Sequence, residues 1–171
     1  VDLQPVRSYP YGTLGSAVLG YVGQIDSSLE SDYKLRGYDP STDLIGKSGI
    51  ESAFEDELKG VKGGKTIKVN SKGKETEELF KLESYPGNNV NLTIDKNVQY
   101  AMQEALKDTI NQVRTKNQDS EGHTFPNATR GAALAVEVKT GKIIALTSYP
   151  DFDPNLFAIP GQLTKKQTEQ Y

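Results

Sequence analysis

The strongest constraint on the fold of this chain is a stripe of apolar residues at helical spacing after residue 95. Its members are Val98, Met102, Leu106, Ile110 and Val113. Residues three or four positions apart share one face of an α-helix, so the stripe predicts an amphipathic helix of about five turns. Asp95 lies just before the predicted start of this helix, and aspartate is a preferred capping residue. Apolar residues alternate at 90, 92 and 94, which predicts a strand that leads into this helix.

Two further helices are predicted nearer the N-terminus. Apolar residues at helical spacing over 14–21, followed by glycines, predict a short helix that leads into a strand or turn. Residues 47–64 predict a second helix, in which Ser48 and Glu51 form a capping box. Its buried stripe is predicted to contain Ile50, Phe54, Leu58 and Val61. Residues 26–46 are polar and are predicted to be irregular.

Two β-hairpins are also predicted. In the first, at 66–84, charged residues fill the gaps between apolar ones, so one face is expected to be solvated. In the second, at 131–149, two apolar strands are joined by a turn at Lys139–Gly141, where glycine can supply a positive φ. The chain is therefore expected to combine helices with short antiparallel strand pairs.

The length of 171 residues suits one domain or two small ones. Residues 118–130 are rich in turn-forming residues and predict a linker. We therefore divide the chain into predicted domains at 1–125 and 126–171. Because it starts without Met, we interpret it as a segment of a longer protein.

Composition argues against several classes of function. The net charge is −3 and no basic tract is present, so nucleic acid is not expected as a partner. The absence of cysteine rules out disulfides, cysteine-ligated zinc and thiol nucleophiles. No run of about 18 apolar residues occurs, so no part of this sequence is expected to span a bilayer. We expect neither a cofactor nor a metal.

Two motifs of serine acyl-transfer enzymes occur twice each. S-x-x-K appears as Ser31–Lys34 and Ser71–Lys74, and K-[ST]-G appears as Lys47–Gly49 and Lys139–Gly141. A catalytic serine of this kind needs a desolvated lysine one turn away on a buried helix. One serine lies in a polar stretch without a helical stripe, the other lies in a charged turn, and the third motif, S-x-N, is absent. We expect no catalytic residue in this chain, and we expect His123 to be a solvated loop residue.

Four blocks, in order along the chain, resemble the N-terminal region of class B penicillin-binding proteins. They are RSYPYGTLGSAVLGYVGQI, LIGKSGIESAFEDELKG, NVNLTIDKNVQYAMQEAL and GAALAVEVKTGKIIALTSYPDFDPN. Each block is modest alone, but the four together cover most of the chain. The variant resembles the elongation-type penicillin-binding protein 2 of Gram-positive bacteria.

The resemblance implies an α+β fold, in which a pedestal or dimerisation domain with helices on small antiparallel sheets precedes the first β-hairpin of a transpeptidase sheet. It implies a parent protein that is a serine-type D,D-transpeptidase of cell-wall synthesis. That parent would act on peptidoglycan at the extracytoplasmic face of the bacterial membrane, anchored by an N-terminal helix absent from this sequence. The catalytic S-x-x-K would follow residue 171.

The present chain would then be non-catalytic. It would position its own transpeptidase domain and offer surfaces to cell-wall elongation proteins, with a homodimer left open. The resemblance also implies a structural polar network of Arg7 and Glu51 that ties pedestal segments together, with Glu51 facing an arginine of an absent first block. Without the resemblance, the sequence explains the presence of Glu51 by its role in the predicted capping box.

Two points stay open from the sequence. The hairpin at 131–149 would lack its usual sheet, and an isolated hairpin is marginal in water, so we expect it to pair with a second copy or with the rest of the enzyme. Two other functions are alternatives, namely a stand-alone secreted domain that binds glycan or peptide, and a self-sufficient serine acyl-enzyme.

Overall fold

The computed structural model describes residues 6–72, 74–116 and 119–159, which form an α+β chain with small antiparallel sheets. This confirms the predicted fold class. The chain forms two compact units: one comprises Val1–Ala53 and Leu92–Tyr171, and the other comprises Phe54–Asn91. The predicted division at residue 125 rests on a linker in the sequence and not on the compactness of the units. It stays a prediction.

The dominant helix, α5, spans Lys96–Thr115 and confirms the prediction from the apolar stripe. The carboxylate of Asp95 accepts hydrogen bonds from the main-chain N–H groups of Asn97 and Val98, so the predicted cap is also confirmed. These bonds satisfy two of the four N–H groups that have no partner within the helix.

A hairpin of β5 (Gly131–Val136) and β6 (Ile143–Tyr149) packs against α5. The buried side chains of β6, Ala145 and Thr147, are small, and a Cβ at Gly131 would lie only 2.8 Å from Cδ1 of Ile110. The hairpin and its turn at Lys139–Gly141 are confirmed, with Gly141 at φ 72°. Because α5 covers one face, the hairpin is not isolated; its pairing with a second copy or with the rest of the enzyme stays a prediction.

Residues 26–46 are not irregular, as the sequence predicted. They contain α2 (Glu30–Leu35) and β2 (Leu44–Gly46), and β2 pairs antiparallel with β1 (Val22–Gln24). Tyr38 and Ile45 are buried here against Ile25. Each element is too short to show a helical or strand periodicity of apolar residues. In the sequence, its apolar residues therefore appear as isolated residues within a polar stretch.

Close main-chain packing fixes the region around Glu51. The short helix α1 (Ser16–Leu19) ends at Gly20, where a Cβ would lie 1.9 Å from the carbonyl oxygen of Ser48. At Gly46, a Cβ would lie 2.1 Å from the carbonyl oxygen of Glu51. Only glycine permits these approaches, which hold the main chain of α3 (Gly49–Ala53) against β2.

The predicted helix at 47–64 is wrong as a single element. It is replaced by α3 and by α4 (Glu55–Leu58), which are separated at Phe54. Phe54 and Val61, predicted to be buried, are exposed. The apolar spacing misled the prediction because the polar residue Glu51, rather than the apolar stripe, is the buried side chain of α3.

In the second unit, β3 (Gly64–Val69) and β4 (Glu75–Leu82) form the other predicted hairpin. Main-chain hydrogen bonds between Val61 and Tyr85 extend the pairing toward its base. We call residues 61–85 the ribbon. Every side chain of β3 is exposed. The sequence predicted only one solvated face, whereas in the structure both faces of this strand contact solvent.

The strand predicted at 90–94 does not form. The segment lies beside β6, where the hydroxyl of Thr93 donates to the carbonyl of Ile143 at 2.6 Å and the N–H of Asp95 donates to the carbonyl of Ile144 at 2.8 Å. The pairing cannot continue along β6, because the chain enters α5 at Asp95 and a glutamine side chain occupies the next edge position, at Leu146.

Candidate functional site

The two residues predicted to form a polar network, Arg7 and Glu51, are in direct contact. Nε of Arg7 lies 2.6 Å from Oε1 of Glu51, and the Glu51 side chain is only 7% exposed, compared with 43% for Arg7. Burial alone would lower the pKa of Arg7, but the hydrogen bond and charge of Glu51 outweigh burial and raise it. The sequence assigned this carboxylate to a capping box, and that assignment is wrong. The role of the pair in tying segments together stays a prediction.

Tyr9 adds a buried hydroxyl beside this pair. Within the part of the chain that the structure describes, its hydroxyl oxygen has no hydrogen-bond partner. Burial, followed by the charge of the nearby Glu51 carboxylate, raises the pKa of Tyr9 well above its ordinary value. The hydroxyl is therefore close enough to Glu51 to feel its charge, although it does not satisfy hydrogen-bond geometry.

The most buried side chain of α5 is polar, which the sequence analysis missed. Gln99 donates from Nε2 to the carbonyl of Leu146 at 2.8 Å and accepts from the N–H of Leu146 at 2.9 Å. Its carboxamide thus makes the two bonds that a neighbouring strand would make with the edge of β6. A glutamine on an amphipathic helix gives no signal that separates this role from solvent exposure.

Gln103, one turn further along α5, joins three segments. Its Oε1 accepts from the N–H of Gly15 at 3.2 Å, and its Nε2 donates to the carbonyl of Thr13 at 3.2 Å and to the carboxylate of Asp151 at 2.6 Å. Gln103 is buried, so these bonds replace those that its carboxamide would make with water. The segment near residue 14 and the segment after β6 therefore share one side chain.

Asn155 makes a second contact between the same two segments. It accepts from the N–H of Tyr9 and donates to the carbonyl of Tyr9, both at 2.9 Å. The carboxylate of Asp153 accepts from Nδ2 of Asn155 at 2.8 Å, which fixes the orientation of the amide. Sequence reasoning missed Gln103, Asp151 and Asn155 because their partners are distant in the chain and are mostly main-chain atoms.

The serine and lysine of both S-x-x-K motifs lie in exposed positions. Ser31–Lys34 lies on α2, which corrects the prediction of a non-helical stretch, but the Lys34 side chain is 60% exposed and pairs with Glu30. Ser71 and Lys74 are exposed near the tip of the ribbon. Neither lysine has the desolvated environment that would activate a serine. The absence of catalysis in this chain stays a prediction.

The remaining chemical groups are peripheral. His123 is exposed, as predicted, and its Nδ1 lies 2.9 Å from the carboxylate of Asp119. Hydrogen bonds from the main chain and side chain of His123 lower the pKa of Asp119. The described residues contain no group of three or more side chains that could hold a metal ion. Of the helices in the described ranges, none is both long and apolar enough to cross a membrane.

Two exposed apolar surfaces accompany these polar contacts. On the ribbon, Phe80 and Leu82 alternate along β4 and project to one face, and Phe80 is 62% exposed. On the β5–β6 hairpin, Leu134 and Val136 are exposed on the face away from α5. Contiguous exposed apolar side chains of this kind mark surfaces that contact other protein segments.

Comparison with known proteins gives consistent results. Residues 1–92 match the family described as the penicillin-binding protein dimerisation domain. The chain is 32% identical over 155 residues to the peptidoglycan D,D-transpeptidase MrdA of Escherichia coli. The aligned region covers 88% of this chain and 21% of the relative. It is 35% identical over 151 residues to penicillin-binding protein 3 of Bacillus subtilis, covering 88% of this chain and 19% of that protein. The chain thus spans about a fifth of the length of these relatives.

Solved structures show the same relationship. PBP2 in its complex with MreC from Helicobacter pylori matches with a TM-score of 0.67 and 25% identity, over 96% of this chain and 26% of that one. A chain of a peptidoglycan synthase complex, in a study of how polymerisation and crosslinking are coordinated, matches with a TM-score of 0.66 and 30% identity, over 95% of this chain and 26% of that one. The sequence match over more than half of the chain, together with this fold, shows that the chain belongs to the penicillin-binding protein dimerisation domain family, in the class B penicillin-binding proteins.

Proposed function

We propose that this chain is the non-catalytic N-terminal region of a peptidoglycan D,D-transpeptidase, and that it positions the catalytic domain of that enzyme. One observation carries the proposal: the segment that leaves the β5–β6 hairpin is held to the first segment of the chain through Asn155 and Gln103. Because this segment is held in place, the position at which a following domain begins would be fixed relative to the present chain. The names of the relatives support the reaction class.

We further propose that the parent protein acts at the extracytoplasmic face of the membrane, anchored by a helix that precedes this sequence. Peptidoglycan is the material named in the descriptions of the relatives, and it lies outside the bacterial membrane. The elongation-type subtype is part of the same proposal, supported by the similarity to PBP2.

The ribbon is our candidate surface for a cell-wall elongation partner. A two-stranded hairpin with both faces in water is marginal unless another element packs on it, and the apolar side chains of the ribbon are exposed. They are Val61, Ile67, Val69, Leu79, Phe80, Leu82 and Tyr85. The complex of the similar PBP2 with MreC supports a partner of this kind. A homodimer is the competing occupant of the same surface.

Positioning can be tested in the full-length parent enzyme with Asn155→Ala. We expect acylation by a fluorescent penicillin to persist, because the catalytic serine lies elsewhere, while cross-linking of peptidoglycan falls. Gln112→Ala, at an exposed position of α5, is the matched control. Equal cross-linking by both variants would count against a positioning role.

The ribbon can be tested by capture of a purified MreC-type elongation protein on the immobilised 171-residue chain. We expect Phe80→Ser with Leu82→Ser to abolish capture, and we expect Leu35→Ser, which changes an exposed leucine outside the ribbon, to leave capture intact. Self-association of the chain, lost in the double variant, would favour the homodimer instead.

The two alternatives have direct tests. Covalent labelling of the 171-residue chain by a fluorescent penicillin, lost on Ser31→Ala or Ser71→Ala, would establish a serine acyl-enzyme and overturn the proposal. Sedimentation with purified peptidoglycan would instead favour a glycan-binding or peptide-binding domain. We expect neither result.

A further inference from the structure

Two segments that are distant in sequence meet through side-chain amides. The first segment, residues 7–16, precedes β1, and the exit segment, residues 150–158, follows β6. Gln103 and Asn155 bind main-chain groups of Tyr9, Thr13 and Gly15. We call these contacts, together with the Asp151 carboxylate, the latch.

The latch is built so that its parts depend on one another. The carboxamide of Gln103 touches both segments at once, with Gly15 on one side and Asp151 on the other. Asn155 is in turn oriented by Asp153, its neighbour in the exit segment. If the exit segment moves, the N–H of Tyr9 loses its acceptor Asn155. Gln103, which accepts from the N–H of Gly15, then loses its contact with Asp151 and is held less firmly in place.

Apolar contacts also hold the exit segment, both to the first segment at Tyr9 and to Tyr21 and Val22 further along the chain. Ala158 is 2% exposed and packs in a core cluster with Tyr9 and Val22. The rings of Phe152 and Phe157 contact Tyr21, with centroids 5.8 Å and 4.4 Å away. The first segment makes no strand ladder with the exit segment in the described residues, so side chains supply the contact.

We propose that the latch is a cooperative conformational device, in which the first segment and the exit segment dock and release as one unit while α5 and the β5–β6 hairpin stay folded. The hairpin has its own independent attachment to α5 through Gln99 and Leu146. Local opening in cooperative units below global unfolding is a general property of proteins.

Amide hydrogen exchange measured by NMR on the 171-residue chain tests this directly. The N–H of Tyr9 donates to Asn155, that of Gly15 to Gln103, and that of Leu146 to Gln99. In Asn155→Ala, we expect exchange at both Tyr9 and Gly15 to accelerate by about tenfold, as for the loss of one or two hydrogen bonds. We expect exchange at Leu146 to change little.

Two outcomes would overturn the proposal. Faster exchange at Tyr9 with unchanged exchange at Gly15 would show that the contacts open separately. Equal acceleration at Leu146 would show that the latch has no opening of its own. Gln112→Ala, at an exposed position of the same helix, is the control and should change none of the three amides.

A compensating pair gives a second test that removes no side-chain volume. Gln103→Glu places a carboxylate against Asp151 and should accelerate exchange at Tyr9 and Gly15. Adding Asp151→Asn restores a donor to that contact and should slow both amides part of the way back, because the bond from position 103 to the Thr13 carbonyl stays lost. If the second change slows neither amide, the latch is contradicted.

Wild-type measurements keep the inference testable if a variant does not fold. In low concentrations of urea, we expect Tyr9 and Gly15 to show one common opening free energy and one common urea dependence, both smaller than those of Leu146. Different urea dependences for Tyr9 and Gly15 would refute a single cooperative unit.

Discussion

Removal of Arg7 should destabilise the chain more than neutralisation of Glu51. At the 2.6 Å separation of Nε and Oε1, two unit charges attract by roughly 6 kcal/mol at an effective dielectric of 20 and by about 1.6 kcal/mol in water. Loss of one partner of a fully buried pair costs about 3–5 kcal/mol, whereas exposed pairs contribute about 0–1 kcal/mol. Because Arg7 is 43% exposed and Glu51 is 7% exposed, we expect about 2 kcal/mol for Arg7→Ala.

The asymmetry follows from which charge is left behind. Arg7→Ala leaves the buried carboxylate of Glu51 without its partner, and a buried unpaired charge is costly. Glu51→Gln keeps an acceptor oxygen for Arg7, and the guanidinium can still reach water, so we expect a loss of about 1 kcal/mol. Urea unfolding followed by circular dichroism measures both, and 2 kcal/mol corresponds to a midpoint shift of roughly 0.8 M.

The pair formed by Glu30 and Lys34 is the matched control, since both of its side chains are largely exposed and its atoms lie 3.3 Å apart. A double-mutant cycle on this control should give at most about 0.5 kcal/mol. An Arg7–Glu51 cycle that gives no more than the control would contradict a stabilising ion pair. Equal destabilisation by Glu51→Gln and Arg7→Ala would show that burial of the carboxylate does not govern the energy.

Three other substitutions have defined outcomes. Gly46→Ala should lower the unfolding free energy by at least about 2 kcal/mol through a main-chain clash, whereas Gly64→Ala, with open space around it, should cost less than about 0.5 kcal/mol in the same urea assay. Because the pKa of Tyr9 is raised in the folded state, its contribution is complete below pH 10.0, its ordinary value, and is lost as the pH rises beyond that. Tyr9→Phe should therefore reduce the loss of stability above pH 10.0 in alkaline urea titrations, and an unchanged alkaline slope would contradict this. Asp95→Ala should lower stability by about 1 kcal/mol, and equal loss in the exposed control Asp108→Ala would argue against the cap.

The elements predicted correctly from sequence are those whose signals are local. The cap at Asp95 lies within three residues of its partners, and each β-hairpin carries its alternation and its turn in one short stretch. The failures occur where distant contacts decide the structure. Residues 26–46 form elements because Tyr38 and Ile45 pack on Ile25, and no local period reveals this.

The candidate site was predictable only in part, for the same reason. The resemblance pointed to Arg7 and Glu51, while the residues alone favoured a capping box, because a capping box is a local pattern and an ion pair across 44 positions is not. Gln99 and Gln103 occupy the buried face of α5, yet polarity alone places them on a solvent face. Both glutamines hydrogen-bond mainly to main-chain groups of other segments. Every residue type carries such groups, so the sequence does not reveal these partners.

The glutamine at position 99 has a consequence for how the small sheet can grow. Its carboxamide occupies both main-chain groups of Leu146, and the segment before α5 occupies the carbonyl groups of Ile143 and Ile144. From Ile143 to Leu146, the outer edge of β6 is therefore closed to another strand, as natural proteins often close edges. In the described residues, β5 pairs with β6 alone, and the exposed Leu134 lies on this open strand. Any strand that extends this sheet must therefore add beside β5, so the sheet can grow in only one direction.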